Sequence, residues 1–381
     1  MKFASMFLVG ITFLTLSCKK SSPEVDPELD TPPIDIPENI GDIVKYQDVW
    51  YQRGDTIYGY KDYVYLVVGD ADSPLLLGVP HDGIESGSPI IPETGTTGRD
   101  INTSLFSTAI AELFEQDTEK KPWIMVNTIS RKRVDPNSYP DAAASRYQNP
   151  DAKATYDSYH ELLTLARITL ARNQENGPGG LFLDVHGHAH RYYNGHQEPY
   201  TYVVTGNTVL NNFICQTDVG YAINNDDLEK SDAHLDALAS GSSIAYLADA
   251  HPDVPFSQLI RGPKSFGGLL AAEQVTAVPS TELPILDRNA LLFGMEGVGV
   301  IEGRRPYFNG GYCTRKYGTG RTGSTLGFDD NIVSIQIETP GINVRNNPTI
   351  ISRSSHQFKR AIIAYLNHWF GYDYTNSAYP Y

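Results

Sequence analysis

Residues 181–190, LFLDVHGHAH, join an apolar run to a polar end rich in histidine. A run of this kind reads as a buried strand. Its emergence into Asp184-x-His186-Gly-His188 brings imidazoles to the rim of a sheet, where open α/β folds bind ligands and metals. Neutral imidazole is a common zinc ligand, and a nearby carboxylate such as Asp184 can fix its tautomer. Histidines at strand ends also serve as ordinary hydrogen-bonding residues. The weight of the motif therefore rests on what the remaining 371 of the 381 residues supply.

Strand and helix patterns alternate along the chain, which points to an α/β sandwich. Tyr63–Val68 and Leu75–Val79 read as strands, as do Trp123–Asn127 and Gly180–Val185. Asn102–Gln116 carries Leu105, Phe106, Ala109, Ile110, Leu113 and Phe114 at helical spacing, with Asn102 or Thr103 as its cap. Tyr156, Tyr159, Leu163, Ala166 and Leu170 mark a second, longer helix. Ile332–Glu338 alternates like a strand with one face toward a site. Ser354 or Ser355 is expected to cap a last amphipathic helix. Long loops or an inserted subdomain are expected between 187 and 330.

The amino-terminal residues speak to location. Lys2, an apolar run from Phe3 to Leu16, and then Ser17-Cys18 have the layout of a secretory signal, too short for a comfortable membrane span. Residues 1–17 are expected to be a lipoprotein signal peptide, with Cys18 the lipid-bearing residue. Residues 18–45, polar and proline-containing, read as a tether, and 46–381 as one folded domain. This places the protein in a bacterial cell envelope, held to the membrane by its lipid alone and facing the periplasm or the exterior. Cys215 and Cys313 could pair or stay as separate thiols, and their spacing is not that of a cysteine zinc site. With 45 acidic against 30 basic residues, a net charge of −15, nucleic acid is not an expected partner.

Three further stretches carry chemistry. In GVPHDGIESG, residues 78–87, His81 follows a strand and Glu85 stands four positions later. A histidine and a carboxylate this close, with a distant histidine, match a hydrolytic zinc site with an open position for water. Glu338 ends the strand VSIQIE, on the face opposite Val333, Ile335 and Ile337, where core packing explains it poorly and general-base work explains it well. Arg131, Lys132, Arg133 and Arg315 are cations in an acidic chain. An arginine fork suits a carboxylate or a polarised carbonyl, although Arg133 could equally pair with Asp135 on a surface.

Taken together, GVPHDGIE, SRKRVDPN, LFLDVHGHA, SFGGLLAAE, AVPS, YFNGGYCTRKYG and VSIQIETPG, spread over residues 64–370, resemble N-formylglutamate amidohydrolase-like proteins. More distantly, the chain is similar to the zinc carboxypeptidases. The resemblance implies a central mixed β-sheet flanked by helices with long loop insertions, one Zn2+ ion, and hydrolysis of an amide or peptide bond in a small carboxylate-bearing substrate. It implies His81, Glu85 and His186 as metal ligands and Glu338 as general base and later acid. Arg133, Asn137 and Arg315 would bind substrate carboxylate or polarise a carbonyl; apart from the resemblance, His188 is expected as an accessory substrate contact. Zinc carboxypeptidases place their acidic ligand three residues after the histidine. Here that position is Ile84, so Asp82 and Asp100 remain open as the oxygen ligand. Ser138 stands where the family carries arginine after asparagine, which argues against N-formylglutamate itself as substrate. The other reading is a noncatalytic surface protein that binds peptide or glycan, with Tyr192, Tyr193, Tyr200 and Tyr202 as contact area. Esterase action at the same zinc is a third.

Overall fold

The computed structural model describes residues 41–87, 91–96, 98–140, 148–173, 177–188, 201–204, 207–210, 216–285, 307–322 and 325–379. The signal, Cys18, most of the tether, Cys215 and the tyrosine side chains after the histidine motif lie outside them. None of the described helices is long and apolar enough to cross a membrane.

Strands β1 (Asp42–Tyr46) and β2 (Val49–Gln52) form a hairpin. Val44 is fully buried in it, so the folded part already includes residues ahead of position 46. The following strands are β3 (Thr56–Tyr58), β4 (Val64–Val67), β5 (Leu75–Val79), β6 (Trp123–Asn127) and β7 (Gly180–His188). The later ones are β8 (Thr201–Val204), β9 (Asn207–Leu210), β10 (Thr217–Gly220), β11 (Ala277–Val278), β12 (Arg321–Thr322), β13 (Thr325–Leu326) and β14 (Ile332–Pro340). Helices α1 (Thr103–Thr118) and α2 (Pro150–Asn173) fall between β5 and β7. Five short helices occupy the stretch from β10 to β11: α3 (Asn225–Leu228), α4 (Asp232–Asp236), α5 (Ala245–Ala250), α6 (Phe256–Arg261) and α7 (Phe266–Ala272). Helices α8 (Tyr312–Tyr317) and α9 (Pro348–Phe370) follow among the described residues.

Eight strands form one mixed sheet in the order β11-β10-β14-β7-β5-β6-β4-β3. The central four, β14, β7, β5 and β6, run parallel. From β5 the chain crosses by α1 to β6 on one side, then by α2 to β7 on the other. The loops leaving β5 and β7 therefore separate at their carboxyl ends and leave a crevice between them. Period-two alternation assigns the faces. Leu75, Leu77 and Val79 of β5 and Leu181, Leu183 and Val185 of β7 pack with Phe106, Ile110 and Phe114 of α1 and with α9. Leu76 and Phe182 turn to the other face, against Tyr159, Leu163, Ala166 and Leu170 of α2. Helices thus cover both sides of the sheet, and all nine residues of β14 are buried rather than one face of it.

Two caps differ from the sequence reading. Asn102 takes a left-handed backbone and makes no side-chain cap to α1. The Asp82 carboxylate caps that helix instead, accepting from the backbone N–H of Asn102 at 3.2 Å and of Ser104 at 2.9 Å. The last helix begins at Asn347-Pro348, six residues before Ser354. Asn347 accepts from the Ile350 N–H at 3.0 Å, and proline suits the first turn, where its missing donor costs nothing. Ser354 lies inside the helix and donates back to the Ile350 carbonyl at 2.9 Å.

Arg167 of α2 anchors the chain entering β14. Fully buried, it grips both oxygens of Asp330 at 2.5 and 2.8 Å, donates to the Tyr317 and Ile332 carbonyls, and lies 3.9 Å from the Phe328 ring centre. Breaking such a pair leaves an uncompensated charge. Arg167→Ala is expected to cost about 3 kcal/mol, measured as a lower urea midpoint at unchanged slope.

Candidate metal centre

Alternation along β7 puts Asp184 and His186 on the same face as Phe182, and β14 places Glu338 directly beside His186 in parallel register. His81 arrives from β5 two residues past the strand end, across the crevice. The two imidazoles meet edge to face, with ring centres 4.6 Å apart. Their Nδ1 atoms face each other at 3.0 Å, and Asp100 Oδ2 lies 3.3 Å from each. Three donor atoms thus converge on one point, and all three residues are buried.

Each imidazole is held from behind. His81 Nε2 lies 2.7 Å from Asp135 Oδ1, and Arg131 donates to the other Asp135 oxygen at 3.0 Å. His186 Nε2 lies 3.1 Å from Asp184 Oδ1, whose second oxygen accepts from Thr314 Oγ1 at 2.9 Å. Carboxylates at both Nε2 positions favour the Nε2–H tautomer and turn both Nδ1 lone pairs inward. Asp100 is itself steadied by the Gly187 N–H, which donates to Oδ2 at 3.0 Å.

The donor set fits zinc. Nitrogen and oxygen ligands about 2.0–2.1 Å from a tetrahedral ion stand about 3.3–3.4 Å apart, close to the three separations found. Glu338 Oε1, 4.0 Å from His186 Nδ1, stands outside that triangle and is steadied by Gln336 Nε2 at 3.3 Å. Buried carboxyl groups of Asp100, Asp135, Asp184, Asp218 and Glu338 crowd the region. Among the described residues, Arg131 and the buried Arg345 bring guanidinium groups beside them. A low-dielectric site so rich in acid favours a cation.

Other residues singled out in the sequence are placed differently. Glu85 is solvent-exposed, its backbone bridging to Ile129, and it lines a surface groove with Asp82 and Arg99. Asp100 stands where an oxygen ligand is needed. Asp82 is occupied as the α1 cap and by Arg99 at 2.7 Å. Arg133 is bound to Glu93 Oε1 at 2.8 Å and to the Ile91 carbonyl, and it is Arg131 that reaches Asp135 and Asp100. Asn137 belongs to the site wall. Its Nδ2 lies 3.1 Å from His186 Nε2, and its Oδ1 accepts from the Cys313 N–H at 2.8 Å. His188 Nε2 donates to the Gln216 carbonyl at 2.9 Å and its ring stacks on Phe308. Arg315, half-buried, donates to the Gly310 carbonyl at 3.1 Å, and burial lowers its pKa. Cys313 is a buried thiol 3.5 Å from the Pro136 carbonyl. Asp135 and Arg345 escaped the sequence reading as site residues. The signal for Asp135 was its place beside Asn137, whereas Arg345 carried none.

No protein-family model matches the sequence, and no curated protein matches it. Among solved structures the chain is similar to the N-formylglutamate amidohydrolase from Ralstonia eutropha JMP134, with 11% identity and a TM-score of 0.38, covering 80% of this chain and 97% of that one. It is similar to a gene product of Agrobacterium tumefaciens at 11% identity and a TM-score of 0.38, covering 80% of this chain and 95% of that one. Overlap this loose fixes no residue's role. The chemistry of the centre rests on its own geometry.

Burial raises the Asp100 carboxyl, but its bonds to His186 and His81 outweigh that and hold it well below the usual range. Burial opposes the His186 imidazolium, yet Asp184, Asp100 and Glu338 raise its pKa well above the ordinary value. Burial, with Asp100 and Asp218 nearby, pushes Glu338 up to about 8 against the pull of His186. Without a cation the centre therefore holds protons. His186 contributes stability that is complete below its unfolded pKa of about 6.5 and is lost as pH rises through the higher folded value. Glu338 acts in the same direction, since folding disfavours its ionisation between about 4.3 and about 8. The metal-free protein is expected to lose up to about 1.4 kcal/mol per pH unit per proton between pH 6.5 and 8. Urea midpoints of chelator-treated protein measure this, and midpoints that rise over the interval contradict it.

Proposed function

We propose that the protein is a zinc-dependent hydrolase that cleaves an amide or peptide bond in a small carboxylate-bearing substrate. The observation that carries this reading is the inward-facing Nδ1 pair with Asp100 Oδ2, each imidazole backed by its own carboxylate. His81, Asp100 and His186 would hold the ion. Three protein ligands are the number found in catalytic zinc sites. When bound there, zinc supplies Lewis acidity and makes water acidic enough to attack near neutral pH.

Asp135 and Asp184 hold the Nε2 protons of the two imidazoles and keep both rings oriented. Glu338, with Oε1 4.0 Å from His186 Nδ1, would accept the proton of the attacking water and return it to the leaving nitrogen. A carboxyl pushed up to about 8 exchanges protons near neutral pH, and a cation beside it favours the carboxylate form needed for the first of these transfers. Arg131, a fifth exposed and bonded to Asp135, is better placed than Arg133 to meet a substrate oxygen. Arg315 would meet a substrate carboxylate farther out, beyond Asn137 and the start of α8.

Metal analysis and a panel of N-acyl amino acids and short peptides test the reading. His186→Ala and Asp100→Ala are expected to abolish zinc retention, while Glu85→Ala keeps it. Glu338→Gln is expected to keep zinc and lose about 10²- to 10⁴-fold in turnover. A protein that takes up no zinc, or that binds the panel without product and is indifferent to Glu338→Gln, refutes hydrolysis.

The amino-terminal pattern supports a place in the cell envelope, with lipid on Cys18. Labelled fatty acid should enter the wild type in a bacterial host and be lost in Cys18→Ser. Equal labelling of both overturns the anchor.

A further inference from the structure

Arg345 lies in the turn that follows β14, in none of the stretches that carry the sequence motifs, and only 3% of its surface is exposed. A buried guanidinium usually faces a carboxylate. This one bonds to backbone carbonyls. Nη1 donates to Ile101 O, while Nη2 donates to Thr339 O at 2.8 Å and to His188 O at 3.4 Å. Its Nε meets no hydrogen-bond partner among the described residues. Its own carbonyl accepts from Asn102 Nδ2 at 2.7 Å.

The three segments so joined are those that carry Asp100, His186 and Glu338. Ile101 follows Asp100, His188 ends the strand of His186, and Thr339 follows Glu338. The contact with β7 is close: a Cβ at Gly187 would lie 2.0 Å from Arg345 Nη2, so a side chain there would displace the guanidinium from its carbonyls. The Gly187 N–H is also the donor to Asp100 Oδ2. Burying the guanidinium lowers its pKa, and Asp100, Glu338 and Asp82 counter this by favouring the charged form. A group that served packing alone would need neither the charge nor three separate carbonyl acceptors.

We propose that Arg345 is a positioning residue that fixes Asp100 against His186 and Glu338 beside them, and so sets metal affinity and ligand geometry. This rests on the metal-centre reading above. Its planar fork spans carbonyls of separate segments at once, which the single ammonium of lysine cannot reproduce. Outer groups that orient metal ligands are typically worth 10- to 100-fold in affinity.

The test is Co2+ titration of chelator-treated wild type, Arg345→Lys and Arg345→Gln, read by the visible ligand-field band. Near-ultraviolet circular dichroism of each metal-free protein reports its packing. The wild type is expected to bind one Co2+. Arg345→Gln, with native packing, is expected to bind it 10- to 100-fold more weakly and with a shifted band, and Arg345→Lys to fall between. Native packing with wild-type affinity and an unshifted band in both variants overturns the proposal. So does failure of both variants to fold, which would make Arg345 a folding residue only. A wild type that takes up no Co2+ refutes the metal centre itself, whatever the variants do.

Discussion

Two imidazole nitrogens that share one point 3.0 Å apart set the terms for everything around them. Lone pairs cannot face each other at that distance with nothing between them, so a proton or a metal ion must occupy the place. The surrounding carboxylates favour positive charge there, and they outnumber the guanidinium groups of Arg131 and Arg345. Asp135 and Asp184 take the outer nitrogens, Asp100 closes the triangle, and Glu338 stands just outside it. The sheet makes the meeting possible. Because β5 is followed by β6 on one side and β7 on the other, their loops part, and His81 and His186 reach across the opening from neighbouring strands.

Rigidity of the centre comes from where its residues are rooted. His186, Asp184 and Glu338 sit within β7 and β14, buried on both faces, so their spacing follows from parallel register. His81 and Asp100 are on loops and need other support. The Asp82 carboxylate ties the His81 loop to the first turn of α1, immediately after Asp100. Asn127 of β6 donates to the Pro80 carbonyl at 2.8 Å and fixes the same loop from the other side. Arg167 steadies the entry to β14 from the opposite end of that strand.

Strand-borne parts of the centre were legible because a strand has a period of two. Once LFLDVHGH is read as a buried strand, Asp184 and His186 must share a face, and the same alternation in IVSIQIE separates Glu338 from the core residues. Residues brought together by loops obey no period. Glu85 stands near His81 in sequence, but Gly83 packs against the backbone of Thr128 and Ile129, and the Glu85 N–H pairs with the Thr128 carbonyl, leaving its side chain exposed. Asp100 is 19 residues from His81 and yet in contact, because the intervening chain leaves and returns before α1 begins. The start of the last helix escapes the sequence for a related reason, whereas that of α1 falls at Asn102-Thr103 as expected. A serine before an apolar run resembles a cap, but Asn347-Pro348 lies one helical stretch earlier and satisfies the terminal N–H groups itself. Asp82 caps α1 from outside its own segment, which no local pattern announces.

Gathering this much acid in one place opposes folding. Buried carboxyl groups lose hydration, and those of Asp100 and Asp218 raise the cost of ionising Glu338. Protons on His186 and Glu338 relieve part of that strain at low pH, and a cation would relieve it more completely at neutral pH. The arrangement that makes Glu338 basic enough to move a proton is thus the one that makes the empty centre costly. Ligand binding to the folded state alone stabilises it by mass action, so an ion bound by His81, Asp100 and His186 would couple folding to its own retention through the same few side chains. Arg345 fits this coupling. Its buried positive charge offsets some of the acid while its three carbonyl partners tie the Asp100 loop to the ends of β7 and β14, so the ligand geometry need not wait for an ion to impose it.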